Sequence, residues 1–125
     1  MTEASATTGE GVETPPRVAI GELRLDAAGL ICTVVQDAQS GEVLMVAWMN
    51  PESLRRTLAD GRTWFFSRSR QALWAKGETS GHVQRVRWLR TDCDADTLLV
   101  GVDQVGVACH LGTRSCFTRE LETPC

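Results

Sequence analysis

The sequence predicts an α+β domain made mostly of strands, on three observations. Short β-favouring runs recur along the chain, one stretch carries both helix-start and helix-stop signals, and strands do not alternate with helices as βαβ units require. The chain has 125 residues, 42% of them hydrophobic, which suits one core rather than two.

Each element has a local reason. From Met1 to about Pro16 the chain is Thr, Glu, Gly and Ser with almost nothing large to bury, so residues 1–16 read as a disordered tail and residues 17–125 as the domain. Leu23 to Leu25, Leu30 to Gln36 and Val43 to Met49 read as strands, with Asp37-Ala38-Gln39-Ser40-Gly41 supplying turn chemistry between the last two. Asn50-Pro51-Glu52-Ser53 places an N-cap residue, a Pro at the first helical position and an acid in the first turn. Leu54 and Leu58 then fall one turn apart before Gly61 stops the pattern, which predicts a short amphipathic helix. Strand character returns at Thr63 to Ser67, His82 to Thr91 and Thr97 to Asp103, separated by loops rich in Gly, Ser and Lys.

Lys and Arg number 13 against 16 Asp and Glu, a net charge of −3, which argues against bulk attraction to nucleic acid or an anionic membrane. Any anion must be held by a local pocket. There is no apolar run of about 18 residues, and the first residues lack the basic and apolar regions of a signal peptide, so the expected location is the cytoplasm.

The chemistry concentrates between residues 92 and 116. Asp92-Cys93-Asp94-Ala95-Asp96, Cys109-His110 and Cys116 set three carboxylates and three thiols into one stretch. Carboxylates prefer hard cations such as Mg²⁺ and thiolates prefer zinc, so the interleaving suggests two adjacent sites of different softness. Five cysteines are an odd number, and without an export signal metal ligation is favoured over a disulfide framework. Cys32 lies in an apolar run and Cys125 ends the chain; neither is assigned to the site. On a strand the three Asp residues would share a face; in a turn they would converge on a tip, and the tripeptide suits either. Taken alone they read more readily as a solvated surface than as a cation site. Cys93, Cys109 and Cys116 lack the C-x₂-C spacing of structural zinc modules, and three thiols leave a coordination position open, as a catalytic zinc needs.

His110 reads as a ligand, a proton-transfer group or a packed histidine, with proton transfer favoured by its neighbouring thiol. His82, among strand residues, reads as a satisfied histidine. The stretch Trp64-Phe65-Phe66-Ser67-Arg68-Ser69-Arg70 reads either as a strand running into a basic loop or as a pocket in which Arg forks hold phosphate and Trp stacks on a base. Lys76-Gly77-Glu78-Thr79-Ser80-Gly81 reads as an ordinary flexible loop, with some likeness to a phosphate nest.

Those segments, with Leu73-Trp74 and Ser115-Cys116-Phe117, in this order, resemble the phosphoribosyl-AMP cyclohydrolases of histidine biosynthesis over about Leu23 to Phe117. The resemblance implies hydrolytic opening of the adenine ring of 1-(5-phosphoribosyl)-AMP between N1 and C6, the third step of the pathway. The ribosyl group on N1 leaves C6 electron-poor and open to a water activated by zinc. It implies one Zn²⁺ per subunit on Cys93, Cys109 and Cys116, with Cys93 donated across an intertwined homodimer, and one Mg²⁺ per subunit on Asp92, Asp94 and Asp96. It further implies a curved, mostly antiparallel sheet with one or two short helices. Substrate would meet Trp64, Ser67, Arg68, Ser69, Arg70, Trp74 and Lys76, with His110 moving the proton. Leu111 departs from the Thr more usual after Cys-His and leaves the ligands intact. Some relatives are fused to a pyrophosphohydrolase; with nothing following Cys125, a monofunctional chain is expected.

Two other classes predict different behaviour. A structural zinc module would close its site with a fourth protein ligand, Cys32 or His110, and a single-strand nucleic-acid binder would use the four Trp residues as stacking platforms, against its net charge. A cytidine-type deaminase lacks its H-x-E and P-C-x-x-C signatures here.

Overall fold

The computed structural model describes residues 16–123; the expected tail, up to residue 15, and Cys125 lie outside the described residues. Strands β1 (Ile31–Asp37) and β2 (Val43–Met49) form an antiparallel hairpin. Its turn is built by Asp37, whose Oδ1 accepts the amides of Gln39 at 2.8 Å and Ser40 at 3.2 Å. Along β1 buried and half-buried residues alternate, so Ile31, Thr33 and Val35 face the core.

Helix α1 (Pro51–Asp60) begins and ends where the local chemistry dictates. Asn50 Oδ1 accepts the Ser53 amide at 2.8 Å, Ser53 Oγ accepts the Asn50 amide at 2.9 Å, and Gly61 closes the helix at φ 76°. Leu58, expected to share the inward stripe with Leu54, is instead 58% exposed. The inward place one turn after Leu54 goes to Thr57, whose hydroxyl donates to Ser53 O and accepts the Trp64 amide, locking α1 to the next strand. Asn50→Ala should lower unfolding free energy by about 1 kcal/mol in a urea titration, with the m-value unchanged.

Strands β3 (Trp64–Ser67) and β4 (Ala72–Ala75) pair as a separate two-stranded sheet. Strands β5 (Gln84–Thr91) and β6 (Thr97–Gln104) complete a four-stranded sheet of order β2-β1-β6-β5. The α+β class and the mostly antiparallel pairing hold, with one α-helix and with β1 and β6 parallel. Two details differ from expectation. Leu23 to Leu25 is not a strand: Ile20–Glu22 form a 3₁₀ turn, and the chain then makes a single sheet-like contact, Arg24 N–H to Ala95 O at 2.7 Å. β4 went unforeseen.

One face of the large sheet packs against α1 and the β3–β4 hairpin, burying Val35, Leu44, Met49, Phe65, Val100 and Val102 completely. Buried Gln84 bridges the sheets, accepting from Thr63 Oγ1 and donating to Gln104 Oε1, each at 2.8 Å. By register, Cys32, Val34, Val46, Trp48 and Leu99 share the opposite face, half-buried or exposed. No helix among the described residues is long and apolar enough to cross a membrane.

Candidate functional site

Asp92, Asp94 and Asp96 stand on the turn between β5 and β6, not along a strand. Asp92 Oδ1 accepts the amides of Asp96 at 3.0 Å and Thr97 at 3.2 Å, and Ala95 at φ 62° reverses the chain. One oxygen from each carboxylate lies within 4.8 Å of the others. Burial works to raise the Asp92 pKa, but hydrogen bonds from Asp96 and Thr97 outweigh it and hold the carboxyl below its ordinary value. Asp96 is pushed the other way, by its side-chain contacts with Asp92 and then Asp94. A folded-state pKa raised in this way favours the protonated form, so the stability it contributes is present in acid and lost as pH rises through the raised value. Three like charges so placed suit a hard cation. Asp96→Asn should therefore raise the thermal midpoint of metal-free protein at pH 7 and shrink the further rise produced by added Mg²⁺; calorimetry with and without Mg²⁺ measures both.

The second cluster lies on the irregular segment after β6. Ala108 and Cys109 donate their amides to Arg114 O and Thr113 O, and the segment docks on β2 through Cys116 N–H to Leu44 O at 2.7 Å and Ser115 Oγ to Val43 O at 2.8 Å. The Arg114 guanidinium pairs with Asp37 and with Glu42, fastening the loop to the β1–β2 turn. Cys109 is buried and Cys116 exposed, with their thiols in contact. Hydrogen bonds from the Leu111 amide, Thr113 and Cys116, aided by the positive charge of Lys76, hold the Cys109 pKa low. Although Cys116 is exposed at the surface, partial desolvation by its loop and the neighbouring Cys109 charge push its pKa up. Of the two thiols, Cys109 is the one more inclined to ionise. Lys76 Nζ donates to Ala108 O at 2.5 Å, so the Lys76 to Gly81 loop is tied down beside the thiols, with further bonds from Gly81 N to Gly77 O and from Ala75 N to Glu78 Oε1.

Cys93 is exposed on the acidic turn and, among the described residues, forms no ligand cluster with Cys109 and Cys116, while Cys32 lies on β1 opposite Thr97; these four cysteines are free. His110 is exposed next to Cys109. A cleft of about 580 Å³ opens between β2 and the β3–β4 turn, lined by Ala47, Trp48, Phe66, Ser67, Arg68, Ser69 and Trp74.

The family model for phosphoribosyl-AMP cyclohydrolase matches residues 45–118, a span that holds the cleft, the carboxylates and the thiols together. The chain belongs to the phosphoribosyl-AMP cyclohydrolase family. It is 56% identical to the phosphoribosyl-AMP cyclohydrolase of Micrococcus luteus over 112 residues, 89% of each chain. It is 59% identical to that of Bradyrhizobium diazoefficiens over 99 residues, 79% of this chain and 71% of the relative. Against the histidine biosynthesis bifunctional protein HisIE of Thermosynechococcus vestitus it is 62% identical over 101 residues, 80% of this chain but 47% of the relative. The chain thus spans about half the length of that bifunctional relative and most of the other two.

Within this cyclohydrolase the aromatic residues divide their work unexpectedly. Trp64 is occupied at the helix end, its indole N–H donating to Asp60 at 3.0 Å beneath the Arg56 guanidinium, and it does not line the cleft. Trp74 does, packed on Phe65 at 5.0 Å and reached by Lys76 from the thiol side. Arg70 is exposed and donates its amide to Ser67 Oγ, shaping the turn that presents Ser67, Arg68 and Ser69. Trp48 was missed by sequence reasoning; strict alternation along Val43–Met49 would have set it on the open face of the sheet, with Arg68 stacked 4.7 Å above its ring.

Proposed function

We propose that this cyclohydrolase opens the adenine ring of 1-(5-phosphoribosyl)-AMP by hydrolysis of the N1–C6 bond, as the third step of histidine biosynthesis, in the cytoplasm. The observation that carries the reading is the contact between Cys109 and Cys116 beside Lys76, which also reaches Trp74 of the cleft lined by Arg68, Ser67 and Ser69. Two thiols, one already inclined to ionise, fit part of a zinc ligand set, and an exposed Cys93 from a second copy would supply the third sulfur. A homodimer follows from that need.

When bound, zinc supplies the Lewis acidity that makes water nucleophilic near neutral pH. The chain's own residues do the rest. Lys76 neutralises charge at the thiols and fixes Ala108, Arg68 with Ser67 and Ser69 receives a phosphate, and exposed Arg70 reaches for the second. Trp74 lines the cleft beside the ring, and His110 carries the proton from water to the departing N1. Asp92, Asp94 and Asp96 would hold Mg²⁺, whose charge would offset that of the phosphates. Incubating metal-replete protein with phosphoribosyl-AMP and following ultraviolet absorbance tests the proposal: purine opening is expected, and an unchanged spectrum with both metals present would end it.

A further inference from the structure

A second, smaller groove of about 370 Å³ lies beside the cleft, and its lining includes Arg24, Cys32, Trp48 and Asp96. Trp48 lines both depressions and no other residue does. Trp74, which lines the cleft, has the Lys76 ammonium 5.9 Å from its ring, and Lys76 in turn bonds Ala108 next to Cys109, while the groove includes Asp96 of the acidic turn. The indole of Trp48 is therefore the ridge between the approaches to the two clusters. One face of it already accepts a flat, delocalised cation, the Arg68 guanidinium.

We propose that Trp48 is the specificity-determining platform on which the purine is laid, with one phosphoribosyl arm in the cleft and the other in the groove. The assignment rests on the reaction proposed above. A purine alkylated at N1 is electron-poor and readily protonated, and tryptophan is the side chain whose ring face best attracts such a cation. The purine would take the place of Arg68 on the indole and release the guanidinium to the phosphate of the arm in the cleft. Adenine without the N1 substituent, less basic and single-armed, would gain less from the same surface, so Trp48 would separate substrate from AMP. Stacking is present before and during the reaction, so it serves binding more than the chemical step.

Steady-state kinetics on the full-length, metal-replete protein test this. Trp48→Leu should raise KM for phosphoribosyl-AMP about 10- to 100-fold while kcat changes by less than about threefold. Trp48→Phe, which keeps a smaller ring, should raise KM only a few-fold, and inhibition by AMP should weaken less than substrate binding does. Zinc and magnesium contents by elemental analysis should match wild type, which a general loss of structure would not allow. Should Trp48→Leu not fold, Trp48→Phe decides the matter through the same ratio of substrate KM to AMP inhibition constant. A KM within twofold of wild type in whichever variant folds, or equal weakening of substrate and AMP, would overturn the platform while leaving the reaction in place. Absence of turnover in wild-type protein would instead remove the reaction on which it rests.

Discussion

Cys109→Ser is expected to abolish zinc retention and to reduce turnover of phosphoribosyl-AMP by roughly 1,000-fold or more. Cys109 is the thiol that its surroundings favour as thiolate: the Leu111 amide, Thr113, Cys116 and Lys76 all act to lower its pKa. A serine hydroxyl stays protonated in the same place and offers a hard, weak donor to a metal that prefers sulfur. Cys116 would not compensate, because partial desolvation by the surrounding loop pushes its pKa up. The amide bonds of Cys109 to Thr113 O and of Gly112 to Cys109 O do not involve the side chain, so the loop should keep its shape and thermal stability in chelator should stay near that of wild type. Competition with a colourimetric zinc chelator, read beside activity, separates loss of metal from loss of fold; full activity in zinc-depleted Cys109→Ser would defeat the zinc assignment.

The second large effect is structural. Gly77 sits at φ 81°, and a Cβ there would come within 2.5 Å of the His82 carbonyl carbon and of Val83 N, both backbone atoms with nowhere to go. Strain in the left-handed region and the clash with the following turn add, so Gly77→Ala should cost about 3 to 5 kcal/mol and lower Tm by about 10 °C or more. Lys76 is the adjacent residue and its ammonium holds Ala108 O beside the thiols, so the surviving folded fraction should also lose zinc to a chelator faster. A scanning-calorimetry midpoint within about 4 °C of wild type, a rough threshold for about 1 kcal/mol in a domain of this size, would show that the loop can shift.

What the sequence made legible was local. Asn50, Pro51, Ser53 and Gly61 mark both ends of α1 because capping chemistry is carried by neighbouring residues, and Asp37 to Gly41 likewise announce their turn. The carboxylate cluster was readable for the same reason: five consecutive residues contain it, and only the choice between strand and turn needed the structure. Non-local facts were not legible. Parallel pairing of β1 with β6 joins segments some sixty residues apart, and no pattern within either strand specifies it. β4 is only four residues long, and its turn uses Gln71 at φ 51° where glycine would have advertised it. Leu58 obeys helical spacing but loses the core to Thr57, whose hydroxyl finds two backbone partners there. At the site, the resemblance had Cys93 donated across a homodimer, and a single chain accordingly leaves it on the acidic turn; Trp64 stood out through its neighbours, while Trp48 was hidden in an ordinary apolar strand.

The side-by-side alignment of β1 with β6 also orders events during synthesis. β1 is made early, yet its neighbour on that side does not exist until the polymerising chain has passed Gln104, after the helix, the small hairpin and β5. A nascent polypeptide halted before that point shows a hairpin with one unpaired, valine-rich border, the kind of edge to which other strands adhere. Emergence of the last strand heals that border, and the same strand begins directly after the acidic turn, so the sheet closes and the carboxylates take their places together.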